Sequence, residues 1–236
     1  MSSTARFVTS HSVLTLDVRH PYTAMAMVDA QHMHRNVMSG FYGWVEDGQP
    51  DARAQMGVLS TWSVDLKAGV LVLVVQARVP ADWSRVPADA LKDKPRTLTV
   101  DRTLKTGDLV YFRAVVNPTK TISPGKEAVQ KKIRGKRIPH TTAQHAKDWF
   151  TRRLQPLGEP ASSPNGVARI GATTDPDTLR IRMLGSLKST SREGLTVARA
   201  EIKGRLTVTD PSALVTTLNE GIGRARAYGC GLILIR

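Results

Sequence analysis

Acidic side chains, cysteine and aromatics are all scarce in this 236-residue chain, and each shortage removes a class of function. Asp and Glu together number 20 against 34 Lys and Arg. A carboxylate-metal nuclease needs clustered acids, and Asp175 and Asp177 beside Pro176 make too weak a pair to hold a metal. A lone cysteine, Cys230, excludes an internal disulfide and a cysteine-based zinc cage, and it fits a reducing compartment. Aromatic residues make up 5%, too few for extensive stacking on single-stranded bases, so contacts to backbone and duplex are expected. No apolar run approaches the ~20 residues of a membrane span. No basic-then-apolar leader opens the chain, and a cytoplasmic protein without membrane attachment is expected.

What remains is a basic chain able to bury a core. The formal net charge is +14, the pI is near 10.4, and hydrophobic residues make up 41%. With the membrane set aside, that balance points to nucleic acid as the polyanionic partner.

The hydropathy pattern reads as an α+β protein. Ser12–Val18 alternates as a first strand, and Asp29–Met38 follows as a short helix with Met33 and Val37 on one face. Gln55–Val64 and Val70–Ala77 are strands about a Lys67-Ala68-Gly69 turn, the second apolar enough to be buried on both faces. A weak helix near Ala88–Lys92, broken up by Pro80, Pro87 and Pro95, and a strand at Thr97–Val100 would close one βαββαβ unit. The second unit takes Leu109–Val116, a helix over Thr141–Leu154, strands at Leu179–Leu184 and Leu195–Val208, a helix opened by Asp210-Pro211, and Leu232–Ile235. The expectation is two tandem ferredoxin-like (RRM-like) domains, residues 1–104 and 105–236, joined without a linker.

Between the last helix and last strand lie two Gly-x-Gly units, Gly221/Gly223 and Gly229/Gly231, which bracket Arg224, Arg226 and Tyr228. Glycines there allow positive φ and close backbone approach, and amides with arginines suit phosphate. The order is helix, loop, strand. A dinucleotide fingerprint or P-loop runs strand, loop, helix, so no nucleotide cofactor is expected. A second basic stretch, Gly125–Arg137, holds Lys126, Lys131, Lys132, Arg134, Lys136 and Arg137 against Glu127, a pattern that a solvated loop explains equally well.

The glycine loop followed by apolar residues resembles that of CRISPR repeat-RNA endoribonucleases of the CasE type, from the type I-E system. Tyr111-Phe-Arg-Ala-Val-Val-Asn-Pro-Thr-Lys-Thr121 and Lys203-Gly-Arg-Leu-Thr-Val-Thr-Asp-Pro211 are similar to two further motifs of that family, in the same order. The resemblance covers most of the second half of the chain and is looser in the first. It implies two ferredoxin-like domains, cleavage of CRISPR precursor RNA at the base of the repeat hairpin without metal or cofactor, and 5′-OH and 2′,3′-cyclic phosphate products. It also implies that the enzyme stays on its product as a subunit of Cascade.

The family's catalytic histidine corresponds to His34 within Met33-His34-Arg35. A metal-free ribonuclease uses the 2′-OH as nucleophile, so it needs a base, an acid and stabilisation of the phosphorane. With a pKa of ~6.5 in water, histidine suits either proton-transfer role. Gln31 occupies the position where the family often has tyrosine, three residues before the histidine, and glutamine exchanges no proton usefully. Tyr22, Ser39 and Tyr42 are candidates to fill that gap. The catalytic set read from the sequence is therefore His34, Arg35 and Gln31. RNA contacts are expected from Lys120 through the resemblance, from the basic stretch, from Lys188 and Arg192 at a hairpin tip, and from the glycine loop. His32 faces away from His34 on a helix, and His140 and His145 read as surface residues. The rival readings are a catalytically idle RNA-binding subunit of the same fold and a basic structural subunit.

Overall fold

The computed structural model describes residues 3–45, 49–122, 136–189 and 194–236. Its first half builds one antiparallel sheet from β1 (Thr4–Asp17), β2 (Leu59–Asp65), β3 (Val70–Ala77) and β4 (Arg96–Lys105), in the order β2-β3-β1-β4. That is the strand order of a ferredoxin-like βαββαβ unit. The crossover from β1 to β2 carries α1 (Pro21–Val28), α2 (Ala30–Met38) and the single turn α3 (Ala52–Gln55).

Three expectations change here. The first strand begins at Thr4 because its buried face switches phase. Phe7 and Thr9 are buried near its start, whereas Leu14 and Leu16 are buried after Ser12, so alternation read from Ser12 alone does not extend backwards. β3 is buried on one face and half-buried on the other. The second crossover contains only a 3-10 turn at Ala88–Ala90, because three prolines deny a longer helix its amide donors.

The second half repeats the plan with β5 (Leu109–Val116), α4 (Ala143–Thr151), β9 (Arg180–Lys188), β10 (Thr196–Val208), α5 (Pro211–Glu220) and β11 (Ile233–Ile235). The sheet runs β11-β5-β10, with β9 and the two-residue β8 (Ala172–Thr173) both pairing β10. A separate hairpin of β6 (Thr119–Ile122) and β7 (Lys136–Pro139) is inserted after β5. Asp210 caps α5 by accepting from the Ala213 amide at 3.0 Å, Pro211 fills the first position, and Leu214 and Leu218 are fully buried.

The two halves share core residues. Phe7 and Leu104 pack with the second core, and Val115, Leu187, Val197 and Cys230 pack with the first. Buried Gln76 on β3 donates from Nε2 to the Leu218 carbonyl of α5 at 2.8 Å. Without that donor a buried carbonyl loses its partner, at a cost of ~1–3 kcal/mol. Cys230 is wholly buried and its thiol is pushed up to about 12 by burial, which makes it a packing residue and no nucleophile.

Candidate active site

The local fold places His34 at the join between the halves. Asp29 opens α2 by accepting from the amides of Gln31 at 2.7 Å and His32 at 3.3 Å, while Met33 and Val37 anchor the helix in the first core. His34 is then held half-buried beside them. The glycine loop reaches it from the other half. Gly221 ends α5 at φ +76°, the Ile222 amide donates to the Gly231 carbonyl at 2.9 Å, and a 3-10 turn at Arg226–Tyr228 folds back towards α2.

That turn completes the site. The Tyr228 hydroxyl donates to Gln31 Oε1 at 3.3 Å, and the Tyr228 ring lies edge-on to the His34 ring at 6.1 Å between centroids. The His34 ring also donates to the Ala227 carbonyl. On the far side, Arg53 of α3 donates to the Val58 carbonyl at 2.6 Å. A cavity of about 280 Å³ opens between them, lined by His34, Met38, Asp51, Arg53 and Ala227.

Both charge and backbone here are costly. His34 sits below its ordinary pKa, first because burial disfavours the imidazolium and second because Arg53 is close; donation to the Ala227 carbonyl opposes both. Arg53 is itself lowered, by burial and then by the charge of Arg226, with Asp51 acting the other way. Among the described residues, the non-glycine residues at positive φ are Asp51 and Ala225, both at +58°; Asp51 lines this cavity, and Ala225 opens the turn that brings Ala227 to it. Such conformations persist only where the surrounding structure enforces them, and they gather at functional sites.

The glycines have positive φ as expected, from +71° to +94°. Their close approach is to protein: a Cβ on Gly229 would lie 1.7 Å from the Trp62 ring, and one on Gly223 would lie 2.8 Å from Trp149. Packing against these rings sets the course of the loop and with it the position of Tyr228.

The other expected residues are dispersed. Arg35 is not brought to His34; it lies exposed, with Nη2 2.9 Å from His32 Nδ1. Tyr22 hydrogen-bonds through its hydroxyl with Ser39, and exposed Tyr42 carries the Arg85 guanidinium 3.4 Å above its ring. Asp175 caps its own turn and Asp177 pairs with Lys147 at 2.6 Å, so both acids have structural partners. Lys120 is exposed on β6, Lys136 and Arg137 lie in β7 opposite Ile122 and Thr121, and Lys188 is exposed at the end of β9. Lys131, Lys132, Arg134 and Arg192 lie outside the described residues. His140 and His145 sit with ring centroids 5.3 Å apart near Lys120. Arg224 and Arg226 line a groove of about 900 Å³ with Trp149, Arg153 and Arg169. In that groove the Arg153 guanidinium lies 3.6 Å over the Trp149 ring, and its pKa is pushed down to about 10 by burial and then by Arg152.

The sequence does not join Arg53, Asp51 and Tyr228 to His34. For Tyr228 a signal exists, its position between the two Gly-x-Gly units; for Arg53 and Asp51 there is none.

The family model described as CRISPR associated protein matches residues 11–236. The CRISPR system Cascade subunit CasE of Escherichia coli K12 is 28% identical over 167 residues, 70% of this chain and 73% of that protein. The CRISPR-associated endoribonuclease Cse3 of Thermus thermophilus is 25% identical over 230 residues, 94% of this chain and 98% of that one. Among solved structures, Thermus thermophilus Cse3 bound to an RNA representing a pre-cleavage complex superposes with a TM-score of 0.69 at 22% identity, covering 98% of this chain and 99% of that one. Cas6e of Escherichia coli K-12 gives 0.62 at 20% identity, covering 96% and 98%.

Proposed function

Because this chain belongs to the CRISPR associated protein family, and within it to the CasE type of the type I-E system, we propose that it is the endoribonuclease that cuts CRISPR precursor RNA at the base of the repeat hairpin. In this reading its partners are the repeat stem-loop, before and after cutting, and the other Cascade subunits. The work divides between a domain of residues 1–104, which carries the catalytic helix, and a domain of residues 105–236, which carries the RNA-binding hairpin and glycine loop.

The observation that carries the proposal is that His34 meets Tyr228 of the glycine loop on one side and, on the other, shares a cavity with Arg53. His34, kept neutral at pH 7 by burial and the nearby guanidinium, accepts the 2′-OH proton as the 2′ oxygen attacks the adjacent phosphorus. Arg53 and Arg226 face the charge that builds on the phosphorane oxygens, in a setting where partial burial strengthens their field. The P–O5′ bond breaks, and the leaving oxygen takes a proton from the Tyr228 hydroxyl, which turns from Gln31 Oε1 to donate it. Before RNA binds, Gln31 keeps that hydroxyl beside His34, so a phenol is supplied from the loop where the helix itself has none. The products are a 2′,3′-cyclic phosphate and a 5′-OH, and no metal enters the scheme.

The test is cleavage of a repeat hairpin by purified protein in excess EDTA across a pH series. The rate should be unchanged by the chelator. Because protonated His34 cannot act as a base and its pKa is lowered, kcat/KM should rise with pH along an acid limb centred below ~6.5 and then level. Activity that EDTA removes and Mg²⁺ restores, or a rate that falls as pH rises through that range, contradicts the scheme.

A further inference from the structure

The helices α4 and α5 cover one face of the second sheet, and register fixes which residues stand on the other. Arg205 of β10 lies opposite Tyr111 of β5, which in turn pairs with Arg236 through the chain end. One row on, Lys203 lies between Arg113 of β5 and Arg180 of β9. The next row brings Glu201 opposite Arg182 and Val115, the latter already buried against the first half. The face therefore closes at its Val115 end and opens at its Tyr111 end, where a depression of about 640 Å³ lies.

Its chemistry is one-sided. Glu201, 4% exposed, is the carboxylate of the face and holds three cations: Arg113 at 2.7 Å, Lys203 at 3.1 Å and Arg182 at 3.2 Å. Arg180, Arg205 and Arg236 have no carboxylate partner among the described residues. Amid them Tyr111 is 53% exposed on a central strand, with the Arg236 guanidinium 5.4 Å from its ring centre. A protein-docking surface has a core depleted in lysine and charge. An aromatic ring on a central strand, flanked by cations, instead suits a base stacked on the ring with its phosphates on either side.

We propose that this open face binds single-stranded RNA continuous with the hairpin, Tyr111 stacking one base and Arg180 and Arg205 contacting the neighbouring phosphates. The proposal rests on the reading that the protein binds repeat RNA. A single exposed ring agrees with the low aromatic content of the chain, which argues against extensive stacking but leaves room for one base. The ion pairs around Glu201 fix the second row, so the platform is formed before RNA arrives.

The test uses the full chain with a labelled repeat hairpin, bare or carrying a single-stranded extension of about ten nucleotides on its 5′ or its 3′ side. One extension should tighten binding by about 5–150-fold. Tyr111→Leu should remove that gain and Tyr111→Phe should keep it, while both bind and cut the bare hairpin as wild type does. Arg180→Ala with Arg205→Ala should flatten the salt dependence for the extended RNA alone. No gain from either extension on a well-bound hairpin overturns the proposal and leaves the functional reading standing. So does a Tyr111→Leu variant that binds extended RNA normally but fails to co-assemble with protein subunits, since the face would then serve a protein. A wild-type protein that ignores the bare hairpin overturns the functional reading and this proposal with it.

Discussion

The cations around His34 and those on the outer surface differ in what holds them. Arg53 is half-buried, hydrogen-bonded to a backbone carbonyl and lowered in pKa, and Arg226 is fixed to the Gly223 carbonyl at 3.1 Å. Lys120 on β6 and Lys188 at the end of β9 are exposed. A fixed, partly desolvated charge stabilises a transition state at a defined point, whereas an exposed, mobile one attracts a polyanion and is screened by salt. In this account the first region does the chemistry and the second the holding, and each can be damaged separately.

The largest separation should come from His34→Ala. Cleavage should fall about 10²–10⁴-fold while hairpin affinity stays near wild type, measured by single-turnover cutting and by binding at equal salt. Equal losses in both would place His34 among the holding residues.

Gly229→Val should follow in size. It forces a side chain into the Trp62 ring at φ +71°, with strain of about 1–3 kcal/mol. The expected outcome is a lower Tm together with slower cutting, because Tyr228 adjoins the displaced residue. An unchanged Tm with weakened binding would make this glycine a phosphate contact instead.

Lys188→Ala should have the smallest effect: a few-fold loss of affinity, a slope of log K against log salt flatter by somewhat under one unit, and an unchanged cleavage rate at saturation. A changed rate at saturation would draw this lysine into the chemistry.

How far the sequence reveals this arrangement depends on how local each signal is. Val70–Ala77 and Leu109–Val116 are strands with the bounds expected, because their apolar runs end at turns. The start of α5 is legible from Asp210-Pro211, which has its meaning within one turn. α1 is missed because its buried residues, Thr23 and Ala26, make no amphipathic stripe, and because Asp29 caps α2 where α1 ends. The glycine loop is visible as a feature, but its purpose is not. Gly229 answers to Trp62 on another sheet, and Gln31 meets Tyr228 across 197 positions. No local pattern encodes such pairs. For the same reason the sequence singles out Arg35, adjacent to His34, and gives no sign of Arg53, which a separate helical turn brings to the cavity.

The central claim is that His34 and Tyr228, from opposite halves of the chain, act as one site. A double-mutant cycle on the cleavage rate with His34→Ala and Tyr228→Phe tests it most directly. The account predicts that Tyr228→Phe alone slows cutting by about 10²-fold and adds little once His34 is gone. Full, additive losses in the double variant, or a Tyr228→Phe enzyme that cuts at the wild-type rate, would contradict it.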